Sequence, residues 1–322
     1  GWVRDYAAVV LSQADLRQQD CRNRGKKHDY LGTELDFLEK VGVFTVTMIR
    51  YINKIFEDFP EEITGSAPTP HTDNLFKIRD EAEAKFLPEE QAVLFHHTVA
   101  QLLFLSTRAR RDIQTAVSFL TSRVKKPDED DWGKVKRILK YLKGTRTLPL
   151  RLTVDSLTSS KWVIDASHAV HWDCKGQTGA GMTLGKGAAV CFSRKQKGNT
   201  KSSTETELVG VDDAMPSVLW SLYFIQAQGY EMTHAEIYQD NKSAILLETN
   251  GKMSSSKRTK HIKSKFFFVK DKVDQGEVTI HHKPTDEMWI DVNTKPKQGR
   301  PFRVNRSHIM NCPVDLPDET LG

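Results

Sequence analysis

Cysteines are few in this chain, and long apolar runs are missing. The four cysteines are far apart and lack the spacing of a metal-binding module, which predicts a reduced intracellular protein. The sequence contains no run of about 18 apolar residues, so we expect no membrane span and no membrane partner. The first residues show neither an initiator Met nor a signal-peptide pattern. We therefore expect the chain to be a piece of a longer protein.

One short segment combines residue types that bind zinc. It contains His168, His171, Asp173 and Cys174. No second ligand pair follows at the spacing of a zinc finger, so the sequence disfavours zinc there.

Basic residues exceed acidic ones only slightly, with 47 Lys and Arg against 42 Asp and Glu for a net charge of +5. Their distribution is more informative, because they form one cluster between residues 252 and 272 and a second between residues 194 and 201. Basic stripes of this kind suit a phosphate backbone, although a solvated helix face is the alternative for either cluster. The residues that we expect to contact nucleic acid are Lys195, Lys197, Lys201, Lys257, Arg258, Lys260 and Lys263.

The first half of the chain predicts a short strand pair followed by helices. A length of 322 residues is enough for two domains. We expect strands over 29–37 and 43–48, and helices over 49–59, 89–107, 112–123 and 130–143. Residues 144–160 are rich in Thr, Ser and Leu, which indicates a boundary.

The second half predicts three strands, a long helix, a strand, two helices, a strand and a last helix. The long helix starts after Thr204, and Pro216 should kink it or split it in two. The strands are expected over 161–165, on both sides of Gly185, over 235–239 and over 278–282, and the other helices over 241–249, 262–273 and 286–295.

Four acidic residues carry most of the functional information. Asp165 and Asp240 end predicted strands, Glu207 lies in the first turns of the long helix, and Asp291 lies on the last short helix. Acids spread in this way can meet at one edge of a sheet, where they repel strongly unless divalent cations neutralise them. Oxygen-rich sites select magnesium or manganese, and two such ions about 3.5–4 Å apart form the clamp that cuts phosphodiester bonds.

Each of these acids also has a simpler explanation. Asp165 could be an ordinary residue in a turn at the end of a strand, and Asp291 could face solvent. Glu207 could form a capping box with Thr204, and Asp240 could cap the helix that follows it.

Several motifs, taken together and in order, resemble the C-terminal part of copia-type retrotransposon polyproteins. The resemblance covers nearly the whole chain from about residue 25 to residue 312. The motifs are Tyr30-Leu31-Gly32, the run KRILKYLKGT over 136–145, KSSTETEL over 201–208, QDNKSAI over 239–245, RTKHI over 258–262, and Asp291 with Thr294-Lys295-Pro296.

The resemblance implies an α/β chain from the RNA-directed DNA polymerase family. It implies a reverse-transcriptase palm remnant over 1–63, a helical thumb-like region over 64–145, a linker over 146–160, a ribonuclease H-like domain over 161–298 and a tail over 299–322. The ribonuclease H fold is a five-stranded mixed sheet with flanking helices. The implied catalytic and metal-binding residues are Asp165, Glu207, Asp240 and Asp291.

The implied activity is endonucleolytic hydrolysis of the RNA strand of an RNA–DNA hybrid with two magnesium ions, or manganese in their place. Asp165 would bridge the ions, Glu207 and Asp240 would hold the ion at the leaving group, and Asp291 the ion at the nucleophile. The partners would be the hybrid and the rest of the polyprotein. The expected location is the cytoplasm, in the element's particle, or the nucleus.

The sequence departs from the family pattern at two places. Arg111 stands where a proline is usual before Asp112, and Val292-Asn293 replaces a more apolar pair after Asp291. Neither change removes a predicted metal ligand, but both suggest a decaying copy with a weakened helix. The alternative function is therefore an inactive fragment that folds and binds nucleic acid without catalysis.

Two other nucleic-acid enzymes are disfavoured. A polymerase palm needs paired aspartates on a strand hairpin, and the run Val211-Asp212-Asp213 falls in a predicted helix, so we expect no polymerase centre in this chain. An integrase-like recombinase needs a helical glutamate about 35 residues after its second aspartate. Glu277 falls near that spacing but starts a predicted strand.

Overall fold

The first sheet is antiparallel and contains four strands. The computed structural model of the protein describes residues 25–37, 42–250 and 263–316. The strands are β1 (Lys27–Tyr30), β2 (Thr33–Asp36), β3 (Val43–Thr47) and β4 (Leu150–Thr153), and they pair in that order. The single strand predicted over 29–37 is wrong, because the chain reverses at Leu31 and Gly32, whose φ angles are 52° and 74°. Gly32 adopts this left-handed conformation at little cost.

Strand β4 lies inside the segment that we predicted as a linker. Leu150 and Leu152 are buried while Arg151 between them is half-buried, so this short segment alternates as one strand of a half-buried sheet does. Its register places Leu150 opposite Val46 and Leu152 opposite Phe44. Residues 150–153 therefore complete the first sheet.

The helical region was predicted well. It contains α1 (Ile49–Asp58), α2 (Glu89–Arg108), α3 (Gln114–Thr121) and α4 (Glu129–Gly144). The helix predicted over 112–123 begins as a separate 3-10 turn, Arg111–Ile113, before α3. Helix α4 begins at a capping box in which Asp128 and Asp131 each accept a hydrogen bond from the other's backbone.

The second sheet confirms the expected five-stranded mixed architecture. Its strands are β5 (Ser159–Ser167), β6 (Gln177–Thr183), β7 (Val190–Lys195), β8 (His234–Gln239) and β9 (Val278–His282). They lie in the order β7-β6-β5-β8-β9. The β5–β6 and β6–β7 pairs are antiparallel, whereas β5–β8 and β8–β9 are parallel. The helices α5 (Ser203–Ala227), α6 (Lys242–Asn250) and α7 (Lys263–Asp274) flank this sheet, and α8 (Gly299–Met310) is the last helix of the described chain.

Helix α5 is one continuous helix of 25 residues that contains Pro216, so the predicted split is wrong. Its buried stripe, which includes Val211, Met215, Val218 and Leu222, packs with Trp162 and Ile164 of β5. This burial offsets the roughly 3 kcal/mol that a proline costs inside a helix. By length and composition alone α5 could cross a membrane, but 56% of the relevant window is buried within the protein.

The opposite face of the second sheet shares a core with the helical region. One cluster of buried side chains runs from Leu35 and Val46 in the first sheet, through the helices, to Val163 and Cys191 in the second. It also includes Ile290 and two neighbours, which lie on the segment that follows β9. The two sheets are therefore joined by a continuous apolar core.

The C-terminal segment differs from its prediction. The helix expected over 286–295 is instead two 3-10 turns, Thr285–Glu287 and Trp289–Asn293. The predicted tail contains α8, whose Phe302, Ile309 and Met310 are buried in the shared core. Asn311 ends α8 in the left-handed conformation that often terminates helices.

Candidate active site

Three of the four predicted acids meet at one edge of the second sheet. Asp165, Glu207 and Asp240 each place one carboxylate oxygen so that all three lie within 4.8 Å of one another. The adjacent parallel strands explain this, because Val163 pairs with Tyr238 and both strands continue in step toward Asp165 and Asp240. Within the described residues, this is the one cluster of acidic, histidine or cysteine side chains with metal-binding spacing.

Asp165 lies inside β5 and does not end it, because the strand continues to Ser167. Its side chain is almost completely buried and accepts a hydrogen bond from the Thr294 hydroxyl. The pKa of Asp165 is raised to about 6, mainly by burial; the charge of Lys295 lowers it, and the charges of Asp291 and Asp240 add to the rise. A buried acid held among other acids is typical of a cation site, not of a turn.

Glu207 is buried, and the start of its helix is capped by other residues. The Ser202 hydroxyl accepts a hydrogen bond from the Glu205 backbone, and the Glu205 carboxylate accepts one from the Lys201 backbone. The capping box considered for Glu207 and Thr204 is therefore wrong. Burial raises the pKa of Glu207 well above its usual value, and the charges of Asp165 and Asp240 add to the effect.

Asp240 follows the last residue of β8 and is half-buried. Its carboxylate accepts a hydrogen bond of 2.7 Å from the Thr285 hydroxyl. The next helix is capped by Asn241, whose side-chain oxygen accepts from the Ala244 backbone at 3.0 Å. Asp240 is thus not needed as a cap, and its carboxylate is free to serve the site.

A buried glutamate beneath the end of β8 escaped the sequence analysis. Glu248 of α6 accepts a hydrogen bond of 2.9 Å from the Gln239 amide, next to Asp240. Burial raises the pKa of Glu248 to about 8. This pair fixes the end of the strand that carries Asp240.

Asp291 lies beside the cluster but outside the group of three. It is buried on the turn Trp289–Asn293, so the solvent-facing alternative is wrong. Its carboxylate accepts hydrogen bonds from Lys295, at 3.0 Å, and from Lys297. Burial would raise the pKa of Asp291, but the charges of these two lysines hold it below its usual value.

Lys295 joins the two halves of the site, and the sequence analysis gave it no role. Its ammonium lies 3.0 Å from Asp291 and 3.6 Å from Asp165. These carboxylates raise the pKa of Lys295 to about 12, although its burial opposes them. The spacing of four residues between Asp291 and Lys295 was the signal that could have predicted this pair.

The three clustered acids fit a hard divalent cation. All three supply oxygen atoms, which magnesium and manganese prefer. The second oxygen of Glu207 is buried without a hydrogen-bond partner, which is costly for a carboxylate unless a cation or a proton takes its charge. The residues present therefore suit such an ion at this position.

The basic residues predicted to contact nucleic acid have different outcomes. Lys197 and Lys201 are exposed, and Lys195 pairs with Asp173 at 2.8 Å while its ammonium lies 5.5 Å from the exposed Trp172 ring. Lys263 begins α7. Lys257, Arg258 and Lys260 lie outside the described residues.

In the part of the chain that the structure describes, the remaining motifs form no second metal-binding cluster. His171 bonds to Gln177, and Asp173 pairs with lysines, so the segment considered for zinc forms no metal-ligand group in the described part of the chain. Glu277 pairs with Lys272 at the start of β9, the end of the sheet opposite to Asp240, which contradicts the integrase alternative. The run Val211-Asp212-Asp213 lies within α5, as predicted.

The chain is similar in sequence to known proteins. The chain is 26% identical over 316 residues to the retrovirus-related Pol polyprotein from transposon TNT 1-94 of Nicotiana tabacum, which covers 94% of this chain and 23% of the relative. It is 32% identical over 189 residues to the Pol polyprotein from transposon RE2 of Arabidopsis thaliana, and this match covers 58% of this chain and 13% of the relative. The chain is homologous to retrotransposon Pol polyproteins.

This homology confirms the resemblance expected from the sequence motifs. The Pol-like chain spans about a quarter or less of the length of these relatives. No protein-family model matches it. Among solved structures, it is similar to ribonuclease H1 of the archaeon Halobacterium salinarum, with 11% identity, a TM-score of 0.30, and coverage of 42% of this chain and 94% of the other.

Proposed function

We propose that this chain hydrolyses the RNA strand of RNA–DNA hybrids with the help of divalent cations. The observation that carries the proposal is the approach of one oxygen from each of Asp165, Glu207 and Asp240 to within 4.8 Å of one another. The sequence motifs resemble those of copia-type polyproteins, and this resemblance implies the RNA–DNA hybrid as the substrate.

The residues of the chain divide the work in this mechanism. Asp165, Glu207 and Asp240 bind the cation, and the Thr294 and Thr285 hydroxyls orient Asp165 and Asp240. Magnesium or manganese, when bound, would lower the pKa of the attacking water and stabilise the leaving oxygen. The charge of Lys295 remains beside Asp165, where it can stabilise negative charge on the phosphate.

Asp291 is the proposed ligand of a second cation. Its carboxylate is engaged by Lys295 and Lys297, so it can bind an ion only when at least one of these ammonium groups withdraws. Lys297 forms no contact with Asp165 among the ion pairs of the described residues, and we propose that it is the group that leaves.

The proposed path of the hybrid passes the exposed lysines near the start of α5. Lys197 and Lys201 would bind phosphates, and Trp172 offers an exposed ring on which a base or ribose can stack. Lys257, Arg258, Lys260 and Lys263 are proposed to bind the hybrid as well. The other proposed partner is the rest of the polyprotein, and the proposed location is the element's particle in the cytoplasm, or the nucleus.

A cleavage assay tests the proposal directly. The RNA strand of a hybrid carries the label, and the intact chain is incubated with magnesium, with manganese and with a chelator. We expect internal cleavage that requires a cation and that Asp240→Asn abolishes. Matched substrates of single-stranded RNA, duplex RNA and duplex DNA should remain intact. Asp286→Asn, which changes an exposed acid on the neighbouring turn, is the control.

The alternative function has its own outcome in this assay. If the intact chain binds the hybrid but does not cleave it with either cation, it is an inactive fragment that binds nucleic acid. Primer extension should fail in both cases, because the one Val-Asp-Asp run of the sequence lies inside helix α5.

A further inference from the structure

The turn that carries Asp291 packs very closely against strand β6. A side chain on Gly181 would place its first carbon 2.4 Å from the Trp289 ring, and one on Gly179 would lie 2.9 Å from the side chain of Asn293. Two glycines of β6 thus allow the turn to lie directly on the sheet. Thr294, at the end of the turn, then reaches Asp165 with its hydroxyl.

The other side of the turn is held by helix α3 of the helical region. The Thr115 hydroxyl donates a hydrogen bond of 2.5 Å to the backbone oxygen of Val292. The Asn293 amide donates to the Gln114 side-chain oxygen at 3.2 Å, although the two residues are 179 positions apart in the chain. Gln114 in turn donates to the backbone oxygen of Cys191 at 2.8 Å.

The contacts of Asn293 are completed by strand β7. Its amide also lies 3.2 Å from the backbone oxygen of Phe192, and its own backbone oxygen accepts a hydrogen bond of 2.6 Å from Ser193. Asn293 and Gln114 are both buried. A buried amide is stable only where its polar atoms have partners, and the side-chain oxygen of Gln114 has the Asn293 amide as its partner.

We propose that Gln114 and Thr115 are positioning residues of the nuclease site, which they fix by holding the Asp291 turn from the helical region. Helix α3 acts through Asn293 and Val292 on the segment that presents Asp291, Thr294 and Lys295 to the acid cluster. The region implied by resemblance to be a thumb is therefore also part of the nuclease.

This inference rests on the proposed nuclease function, and hydrogen exchange separates the two. The variants are Gln114→Leu, Asn293→Leu and the double variant, all in the full chain. Gln101→Leu is the matched control, because Gln101 is a buried glutamine of the helical region whose amide bonds to Asp58, away from the turn. The first measurement is the exchange of the turn amides of Asp291, Thr294 and Lys295, each of which donates within the turn.

We expect Gln114→Leu to increase exchange of these turn amides by about tenfold or more, while exchange in β5 and β8 stays within about twofold of the parent. In the cleavage assay kcat should fall by about tenfold while KM changes little, since the substrate surface is untouched. The effect of the double variant should be smaller than the product of the two single effects, because the contact between Gln114 and Asn293 is lost in both single variants. Gln101→Leu should leave the turn unchanged.

Two outcomes would overturn the inference. One is unchanged exchange in the turn of Gln114→Leu. The other is an increase spread equally over the turn, β5 and β8, which would assign Gln114 to general stability. A parent chain that does not cleave the hybrid would overturn the proposed function instead, and the exchange data would still decide whether α3 holds the turn.

Discussion

Replacing Asp165 by asparagine should stabilise the cation-free protein, although it should abolish cleavage. Asp165 is 1% exposed and belongs to a cluster of acids. Burial raises its pKa to about 6 from the usual 3.8, so the ionised form costs about 3 kcal/mol. Asparagine keeps the shape of the side chain and removes the charge.

The direction of the pKa shift of Asp165 determines how the stability gained in Asp165→Asn depends on pH. Because the pKa of Asp165 is higher in the folded than in the unfolded protein, the folded state binds more protons between pH 4 and pH 6. The contribution of Asp165 to the stability of the folded parent protein is complete below about pH 4, and it is lost as the pH rises through 6. Asp165→Asn should therefore unfold roughly 5–10 °C above the parent at pH 8 in chelator, and at about the same temperature near pH 4.

Thermal denaturation followed by circular dichroism measures the difference. Added magnesium should stabilise the parent, by about 2.7 kcal/mol at a hundred times its dissociation constant, but not the variant. Asp286→Asn is the exposed control and should match the parent under every condition. An Asp165→Asn protein that unfolds at or below the parent temperature at pH 8 without cations would refute the reasoning, because the cluster would then not be strained by its charge.

Three further substitutions test single features of the structure. Asp112→Ala leaves Arg110 buried without its ion pair, so it should lower the free energy of unfolding by about 3–5 kcal/mol. Chemical denaturation measures this loss, and a value below about 1 kcal/mol would contradict a stabilising role of the buried pair. Gly181→Ala places a carbon against the Trp289 ring and should lower the free energy of unfolding by about 1–3 kcal/mol. The variant should still fold but lose cleavage, and normal stability together with normal cleavage would show that the turn can move away from β6. Trp172→Ala should weaken hybrid binding by about 1–3 kcal/mol in a fluorescence titration at fixed salt, and unchanged affinity would exclude stacking.

Local patterns predicted most of the second sheet. Strand β9 occupies 278–282 as expected, and α5 begins within two residues of its predicted start, because alternation and helix caps are strong short-range signals. The hairpin at Leu31 was missed because a leucine rarely has a positive φ. Strand β4 was missed because its pattern spans only four residues and depends on pairing with β3, more than a hundred residues earlier.

The acid cluster could be predicted because each acid lies in a recognisable local element. Asp165 lies on β5, Asp240 directly follows the parallel strand β8, and Glu207 lies in the first turns of α5, which Ser202 caps. The environment of Asp291 could not be predicted in the same way. Asp291 lies on a 3-10 turn whose position is set by contacts with β6 and α3. This position brings Lys295 and Lys297 to the Asp291 carboxylate.

Asn293 shows how a departure from a family pattern can mislead when it is considered alone. A polar residue in place of an apolar one suggests decay, because a buried amide without partners costs about 1–3 kcal/mol. Here the amide has partners, and Gln114 is one of them. Arg111, the other departure, donates a hydrogen bond of 2.8 Å to the backbone oxygen of Ala189, just before β7. Both departures therefore form contacts between the helical region and the second sheet, which argues for a maintained interface and against accumulated damage.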